Sequence, residues 1–164
     1  MIKKYNKEKV IEEYKLHRDF HWIGMALERY KYCYLVLLNL DEFGRLILNS
    51  SFSKPYATNP EYPLLKEVVN EILENPDHLN SKHLDRGISG VTVKKYLNKI
   101  KQGLKIENAF ISDKEQDMRT MGSYMVWDAM HRLVAYGVQT KMNSKDFPIQ
   151  VIYCTNKQLQ NCKS

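Results

Sequence analysis

YMVWDAMHRLVAYG, residues 124–137, is the most informative segment of the chain. The apolar residues at its start predict a β-strand, and the residues after them predict a helix that begins where the strand ends. Asp128 stands at this break, and His131 and Arg132 fall in the first turn of the helix. Backbone amides at a helix start point outward and the helix dipole favours an anion there, while histidine and arginine add donors and positive charge. The junction therefore predicts a binding site for phosphate.

The length and composition of the chain are those of one domain. The chain has 164 residues, of which 43% are hydrophobic, enough for a core of its own. We expect this domain over residues 32–164, preceded by a helical extension over residues 1–31. Lysine and arginine (25) outnumber aspartate and glutamate (19), which gives a formal charge of +6. This charge favours a polyanionic partner such as a nucleotide or a nucleic acid, although many proteins with such a charge bind neither.

The cysteines and the apolar runs indicate the compartment. Cys33, Cys154 and Cys162 form an odd set without CxxC spacing. This pattern is typical of a reducing compartment and argues against a disulfide scaffold and a zinc ribbon. The longest apolar run, residues 33–38, is too short to span a bilayer, and the lysine-rich start leads into a pair of glutamates instead of a signal-peptide core. We therefore expect a cytoplasmic protein with no membrane partner.

The first part of the chain predicts helices followed by a β-hairpin. Between residues 7 and 30, apolar residues recur at three- and four-residue spacings, which indicates one or two amphipathic helices broken near Asp19. Residues 32–40 and 46–48 are rich in leucine, and the turn residues between them favour a hairpin. Residues 50–62 contain prolines and are expected to form a loop.

Helices and strands alternate in the rest of the chain. One helix is predicted from Pro63 to Asn75, and another from Ser89, a capping residue, to Gly103. Strands are predicted over residues 106–111, 123–127 and 149–153, with a charged loop over residues 112–120. This alternation predicts a small α/β (α+β) fold with a mixed sheet.

The junction and its surroundings resemble the ParB/sulfiredoxin superfamily. Members carry a signature of the form DGxHR, GCHR or GERR directly after a strand, and here it reads Asp128-Ala129-Met130-His131-Arg132. The helix before the signature, residues 91–103, and the strand after it, residues 147–151, also match. The resemblance covers about residues 81–154 and implies the small mixed-sheet fold of that superfamily.

The resemblance also implies a pocket that binds ATP or another nucleotide with Mg²⁺. Backbone amides and the pair His131 and Arg132 would hold the phosphates. Met130 occupies the position of the nucleophilic cysteine of sulfiredoxin, and because a thioether cannot replace that thiolate, sulfinic acid reduction is not expected. Ala129 replaces the usual glycine, which would cost about 1 kcal/mol or more if the turn requires positive φ. Glu107 and its neighbour stand where the family commonly has two prolines.

Two overlapping sets of site residues follow. The catalytic candidates are Asp128, His131 and Arg132. The candidates for phosphate contact are Met130, His131, Arg132, Arg86 and Ser89. No metal site is predicted, because His17 and His21 lack a third ligand at a recognisable spacing.

The candidates also have structural interpretations. Asp128 could cap the helix, and His131 could be a core histidine with satisfied hydrogen bonds. Arg132 could pair with a carboxylate in the loop before the strand, namely Asp113, Glu115 or Asp117. A phosphotransferase would also need a carboxylate base. Glu42 and the same loop carboxylates are available, but no spacing identifies one of them.

Three functions remain open at this point. The leading hypothesis is a nucleotide-dependent phosphotransferase or phosphohydrolase. A DNA- or RNA-binding or nuclease module would use the same pocket together with the lysines of the helix before the signature. A non-catalytic interaction protein of a phage or other mobile element would bind its partner through the N-terminal helices. No helix-turn-helix segment follows the signature, so partition-type DNA clamping is not expected.

Overall fold

The computed structural model describes residues 2–17, 20–48, 63–82, 88–103, 107–113 and 124–160. Within these ranges the chain forms helices and one six-stranded mixed sheet, so the predicted α/β fold is confirmed. The strands are β1 (Lys3–Tyr5), β2 (Tyr32–Leu38), β3 (Leu46–Leu48), β4 (Ala109–Asp113), β5 (Tyr124–Val126) and β6 (Ile149–Thr155). Their order across the sheet is β1-β2-β6-β4-β5-β3.

The helices agree with most of the sequence-based boundaries. They are α1 (Lys7–Tyr14), α2 (Phe20–Arg29), α3 (Leu40–Gly44), α4 (Leu65–Glu74), α5 (Gly90–Lys101) and α6 (Met130–Thr140). Two short 3₁₀ helices cover Pro76–Asn80 and Ser144–Asp146. Ser89 caps α5 as predicted, because its hydroxyl accepts a hydrogen bond from the Thr92 N–H at 3.3 Å. Among the described residues, no helix has the length and apolarity needed to cross a membrane.

The pairing of the strands places β6 in the interior of the sheet. It runs antiparallel to β2 over seven residue pairs, from Tyr32 opposite Thr155 to Leu38 opposite Ile149. On its other side it runs parallel to β4. β5 is antiparallel to β4 and parallel to β3, which completes the sheet.

Each face of the sheet carries a hydrophobic core. Because successive strand residues point to opposite faces, β6 supplies Val151 and Tyr153 to one core and Ile152 and Cys154 to the other. The first core is closed by α4, α5 and α6, and the second by α1 and α2. The helices α4, α5 and α6 therefore lie on the face of the sheet opposite to α1 and α2.

The predicted hairpin between residues 32 and 48 is wrong. β2 pairs with β1 and β6, whereas β3 pairs with β5 on the other side of the sheet. The residues between β2 and β3 form α3, which starts with a capping box. The Asn39 side chain accepts from the Glu42 N–H, and the Glu42 carboxylate accepts from the Asn39 N–H, both at 2.9 Å. The acidic residues and glycine that indicated a turn belong to this short helix.

The N-terminal part contains the predicted helices and also a strand. β1 pairs with β2 and so extends the sheet, although its three residues show no apolar alternation in the sequence. Val10, Ile23 and Leu27 of α1 and α2 are fully buried in the second core. The division of the chain at residue 31 stays a prediction.

β4 is longer than predicted at its C-terminal end. Ser112 and Asp113, expected in a loop, are strand residues. The Asp113 carboxylate accepts hydrogen bonds from the Tyr153 hydroxyl and, at 2.6 Å, from the Thr155 hydroxyl. The sequence-based prediction ended the strand too early because both polar side chains find partners inside the fold. Asp113 is satisfied by β6, and the Ser112 hydroxyl accepts a hydrogen bond from the indole N–H of Trp127 at 2.8 Å. The predicted break at Asp19, the loop over residues 50–62 and the rest of the charged loop lie outside the described residues.

Candidate functional site

The junction between β5 and α6 has the predicted strand–turn–helix form. β5 ends at Val126 and α6 begins at Met130. Ala129, the residue at the N-cap position of α6, has φ 77° and ψ 18°, in the left-handed region. The turn therefore does require positive φ, a conformation that crowds the Cβ of an L-residue and costs about 1 kcal/mol or more relative to glycine.

Asp128 and Arg132 form a buried ion pair across the start of α6. An Nη2 hydrogen of Arg132 is donated to Oδ2 of Asp128 at 2.7 Å, and the two side chains are only 10% and 5% exposed. Their four-residue separation brings them to the same side of the junction. The interpretation of Asp128 as the N-cap residue is wrong, because Ala129 occupies that position. The carboxylate instead fixes the direction of the guanidinium.

Arg132 pairs with a second carboxylate, Glu107, just before β4. Nη1 of Arg132 lies 2.5 Å from Oε2 of Glu107, and Nε2 of His17 lies 3.1 Å from the same oxygen. Burial raises the pKa of Glu107, but the hydrogen bonds from Arg132 and His17 outweigh it and hold the pKa below its ordinary value. The Glu107 side chain is 59% exposed, whereas the Arg132 side chain with which it pairs is only 10% exposed.

Arg132 thus pairs with a carboxylate, as its structural interpretation requires. This carboxylate is Glu107, which was not among the three predicted partners. Asp113 bonds to Tyr153 and Thr155, at the opposite end of β4 from Glu107, so the two lie more than about 13 Å apart along the strand. Asp113 was also a candidate base, and this position separates it from Glu107 and Arg132. The other two loop carboxylates lie outside the described residues. Glu42, the remaining candidate base, serves in the capping box of α3.

His131 joins the start of α6 to the start of α5. The Ser89 N–H donates to Nε2 of His131 at 3.1 Å. A ring nitrogen that accepts a hydrogen bond carries no proton, so the proton of the neutral imidazole lies on Nδ1. The half-buried ring therefore holds the N-termini of two helices together.

The start of α5 is enclosed by protein groups. The Val91 N–H donates to the Ser81 carbonyl oxygen at 3.1 Å, and the Thr92 N–H donates to the Ser89 hydroxyl. A Cβ placed on Gly90 would lie 1.8 Å from the carbonyl oxygen of His78, so only glycine permits this approach. The first amides of α5 thus bond within the protein. α6 differs because the alanine at its N-cap position has no side-chain acceptor for the amides of its first turn.

The structure brings together most of the residues predicted for the site. Asp128, Met130, His131 and Arg132 lie at the start of α6, and Ser89 reaches them through His131. Arg86 lies outside the described residues. Cys33 and Cys154 are buried in the second core, on the face of the sheet opposite to α6.

Sequence reasoning missed the roles of Glu107 and His17. The contact between Glu107 and Arg132 spans 25 positions, and the contact between His17 and Glu107 spans 90. No local pattern marks either residue, because each looks like an ordinary polar residue beside an apolar segment. The only signal for Glu107 was its place at the start of the strand predicted over residues 106–111, whereas the observed β4 begins after it, at Ala109.

The donors at the site suit the oxygens of a phosphate better than a bare cation. The described residues contain no group of three or more His, Cys, Asp or Glu side chains that could hold a metal ion. Asp128 and Glu107 both pair with Arg132, which offsets one of their two negative charges and engages one oxygen of each carboxylate. Mg²⁺ at this place would therefore take most of its ligands from phosphate and water, as it commonly does in nucleotide sites.

The predicted lysine face of α5 is exposed. Its four members are Lys94, Lys95, Lys99 and Lys101. Lys94 donates to the Asn80 side chain at 2.8 Å, and Nζ of Lys99 lies 5.5 Å from the centre of the Tyr96 ring. Tyr96 packs partly against the first core, which leaves it less suited to stacking on a base than a fully exposed ring.

Comparison of the chain with protein-family models, curated proteins and solved structures found no match. The resemblance to the ParB/sulfiredoxin superfamily therefore stays a prediction, which depends on the signature at residues 128–132 and the order of the surrounding elements.

Proposed function

We propose that this protein binds a nucleotide through its phosphates at the start of α6 and transfers or hydrolyses a phosphoryl group. The observation that carries the proposal is the hydrogen bond between Ser89 and His131, which joins the N-termini of α5 and α6. Each helix N-terminus carries partial positive charge, and the guanidinium of Arg132 lies in the first turn of α6. An anion at this point would interact favourably with the first turn of α6 and with Arg132, and less strongly with α5, whose first amides bond within the protein.

Each site residue has a distinct role in this proposal. Phosphate oxygens accept hydrogen bonds from the amides of Met130 to Arg132 and from Nδ1 of His131. Asp128 keeps the Nη2 side of Arg132 in place, while the half-exposed Glu107 carboxylate occupies the Nη1 side as an internal anion. An incoming phosphate takes the place of Glu107, and Arg132 then stabilises the charge that develops during transfer. Mg²⁺ bound with the nucleotide offsets the remaining phosphate charge.

Calorimetric titration and thermal shift against nucleoside di- and triphosphates, with and without Mg²⁺, test the proposal. Binding to the folded state raises the apparent melting temperature as nucleotide exceeds Kd. The variant His131→Ala should bind about tenfold more weakly, the loss expected for one hydrogen bond to a charged group. His21→Ala, at an exposed position on α2, is the matched control. If the wild-type protein binds no nucleotide, the proposal is wrong.

The variant Glu107→Gln tests the internal anion separately. Replacing the carboxylate by an amide removes the negative charge that competes with phosphate for Arg132, so nucleotide affinity should rise. Release of inorganic phosphate from ATP, measured on the same samples, separates binding from turnover. A fall in affinity would mean that Glu107 supports the bound state instead of competing with it.

A protein-interaction function is the second candidate. Several large apolar side chains of the N-terminal helical part are exposed, and Leu16 is 91% exposed. Ile11, Trp22 and Met25 lie on α1 and α2 and are about two-fifths exposed. Exposed apolar side chains of this kind are typical of a surface for a protein partner. The double variant His131→Ala, Arg132→Ala separates the two functions: full biological activity would favour the interaction surface, and lost activity the phosphate site.

A further inference from the structure

Two cysteines face each other across two adjacent interior strands of the sheet. Cys33 on β2 is directly opposite Cys154 on β6, and their Sγ atoms are 3.6 Å apart. Both side chains are essentially fully buried, and both thiols are free. Directly opposed residues in an antiparallel pair have Cα atoms about 4.5–5.5 Å apart, inside the range of about 4.4–6.8 Å found in disulfides. The backbone is therefore already placed for a bond between the two sulfurs.

We propose that Cys33 and Cys154 form an oxidisable dithiol pair, which a hydroperoxide converts into a disulfide that links β2 to β6. The sulfurs must approach from 3.6 Å to about 2.05 Å, a movement that side-chain rotation and a small shift of two adjacent strands can supply. The proposal needs no residue of the phosphate site, so it stands or fails separately from the proposed function.

The surroundings of the pair make Cys33 the sulfur that reacts first. The hydrogen bond between the two sulfurs lowers the pKa of Cys33, burial opposes this effect, and the charge of Lys7 adds to the lowering. The same hydrogen bond and burial raise the pKa of Cys154. Lys7 is held in place because its ammonium donates to the Tyr30 carbonyl oxygen at 2.9 Å. A cysteine of lowered pKa beside a second thiol is the arrangement that an attacking and a resolving cysteine require.

The reaction balances with a hydroperoxide as oxidant. The Cys33 thiolate attacks one oxygen of hydrogen peroxide, the O–O bond breaks, and a sulfenic acid and water form after the leaving hydroxide is protonated. Sγ of Cys154, as it loses its proton, then attacks Sγ of Cys33 and displaces the sulfenic oxygen as a second water. Two thiols are oxidised by two electrons to one disulfide, and the peroxide is reduced to water. Hydrogen peroxide is the oxidant of choice because it is smaller than a disulfide reagent and the two cysteines are at most 1% exposed.

The test uses the full-length chain with Cys162→Ser, so that only the paired cysteines remain. The protein is treated with hydrogen peroxide, denatured, alkylated with N-ethylmaleimide and weighed by mass spectrometry. We expect a species that takes up no maleimide and has lost two hydrogens, and that dithiothreitol converts back to the dialkylated form. Because the bond closes a long loop, with cysteines 121 positions apart, the oxidised protein should melt about 5–15 °C higher.

Two single-cysteine variants complete the experiment. With Cys162→Ser as background, Cys33→Ser and Cys154→Ser should each lose the reversible product and the rise in melting temperature. Lys7→Gln, which keeps both thiols, should slow the first step at neutral pH. The proposal is overturned if both thiols stay fully alkylatable after peroxide treatment, or if the only products are sulfinic acids or disulfides between two chains.

Discussion

Ala129 lies where the backbone of the candidate site is most unusual. Its φ of 77° is one that glycine adopts freely and alanine adopts at a cost. Ala129→Gly should therefore raise the free energy of unfolding by about 0.5–1 kcal/mol, the lower values reflecting the lost contact of a largely buried methyl group. Urea unfolding followed by circular dichroism measures the change.

The matched control is the same substitution inside the helix. Ala135 lies in α6 with its side chain fully buried, and it is absent from the positive-φ residues of the described chain. Ala135→Gly should lower the free energy of unfolding by about 1 kcal/mol or more, through helix propensity and a lost buried methyl group. If both variants lose stability equally, the left-handed conformation at Ala129 is not a source of strain.

The sequence predicted which residues gather at the site better than it predicted what each one contacts. The short-range features, the break after β5 and the capping role of Ser89, were readable because they depend on neighbours a few positions away. The contacts of Arg132 with Glu107 and of His131 with Ser89 were not, because these pairs are distant in sequence and are brought near only by the packing of α5, α6 and β4.

The crossing of α4 and α6 depends on a glycine. A Cβ on Gly137 would lie 2.7 Å from Cγ2 of Val69 on α4 and 3.4 Å from Sδ of Met142. Gly137→Ala should therefore destabilise the protein by about 1–3 kcal/mol, because overpacking outweighs the gain of about 1 kcal/mol in helix propensity. The loss is measured by urea unfolding.

Gly24, in the middle of α2, provides the control for this substitution. A Cβ there would have Phe20 as its nearest neighbour, at 4.0 Å, an ordinary contact distance. Gly24→Ala should stabilise the protein by up to about 1 kcal/mol. If Gly137→Ala leaves the free energy of unfolding unchanged, α4 and α6 can separate at little cost.

The elements that the sequence predicted correctly are those with strong local signals. α4 and α5 have apolar periodicity, and proline or a capping residue marks their starts. The hairpin failed because an Asn-x-x-Glu capping box and a turn contain similar residues, and strand partners are decided by the whole sheet. β1 was missed because a three-residue edge strand gains its order from β2 and not from its own sequence.

A network of polar side chains links the N-terminal helices to α6 on the scale of the whole molecule. His17 follows α1, Glu107 precedes β4, and Arg132 and Asp128 belong to the junction. The pKa of Glu107 is lowered from 4.5 in the folded protein, so its ionised form contributes stability above the pKa of the unfolded chain. That contribution is lost as the pH falls through the lower, folded-state pKa.

Glu107→Gln should therefore lower stability at pH 7 and flatten its fall in acid. The free energy of unfolding, measured from pH 7 down to acid pH, should decline less steeply below about pH 4.5 in the variant, and the two curves should converge. Glu12→Gln, an exposed position on α1, is the control. Parallel curves for wild type and Glu107→Gln would show that the network adds nothing to folding.

The interior position of β6 has a consequence for biosynthesis. β6 comes last in chain order among the described strands, yet it separates the β1-β2 pair from the β4-β5-β3 group. A nascent chain that has not yet released residues 149–155 from the ribosome holds two partial sheets with unpaired edges where β6 belongs. Formation of the complete sheet, and with it both hydrophobic cores, therefore waits until residues 149–155 have left the ribosome.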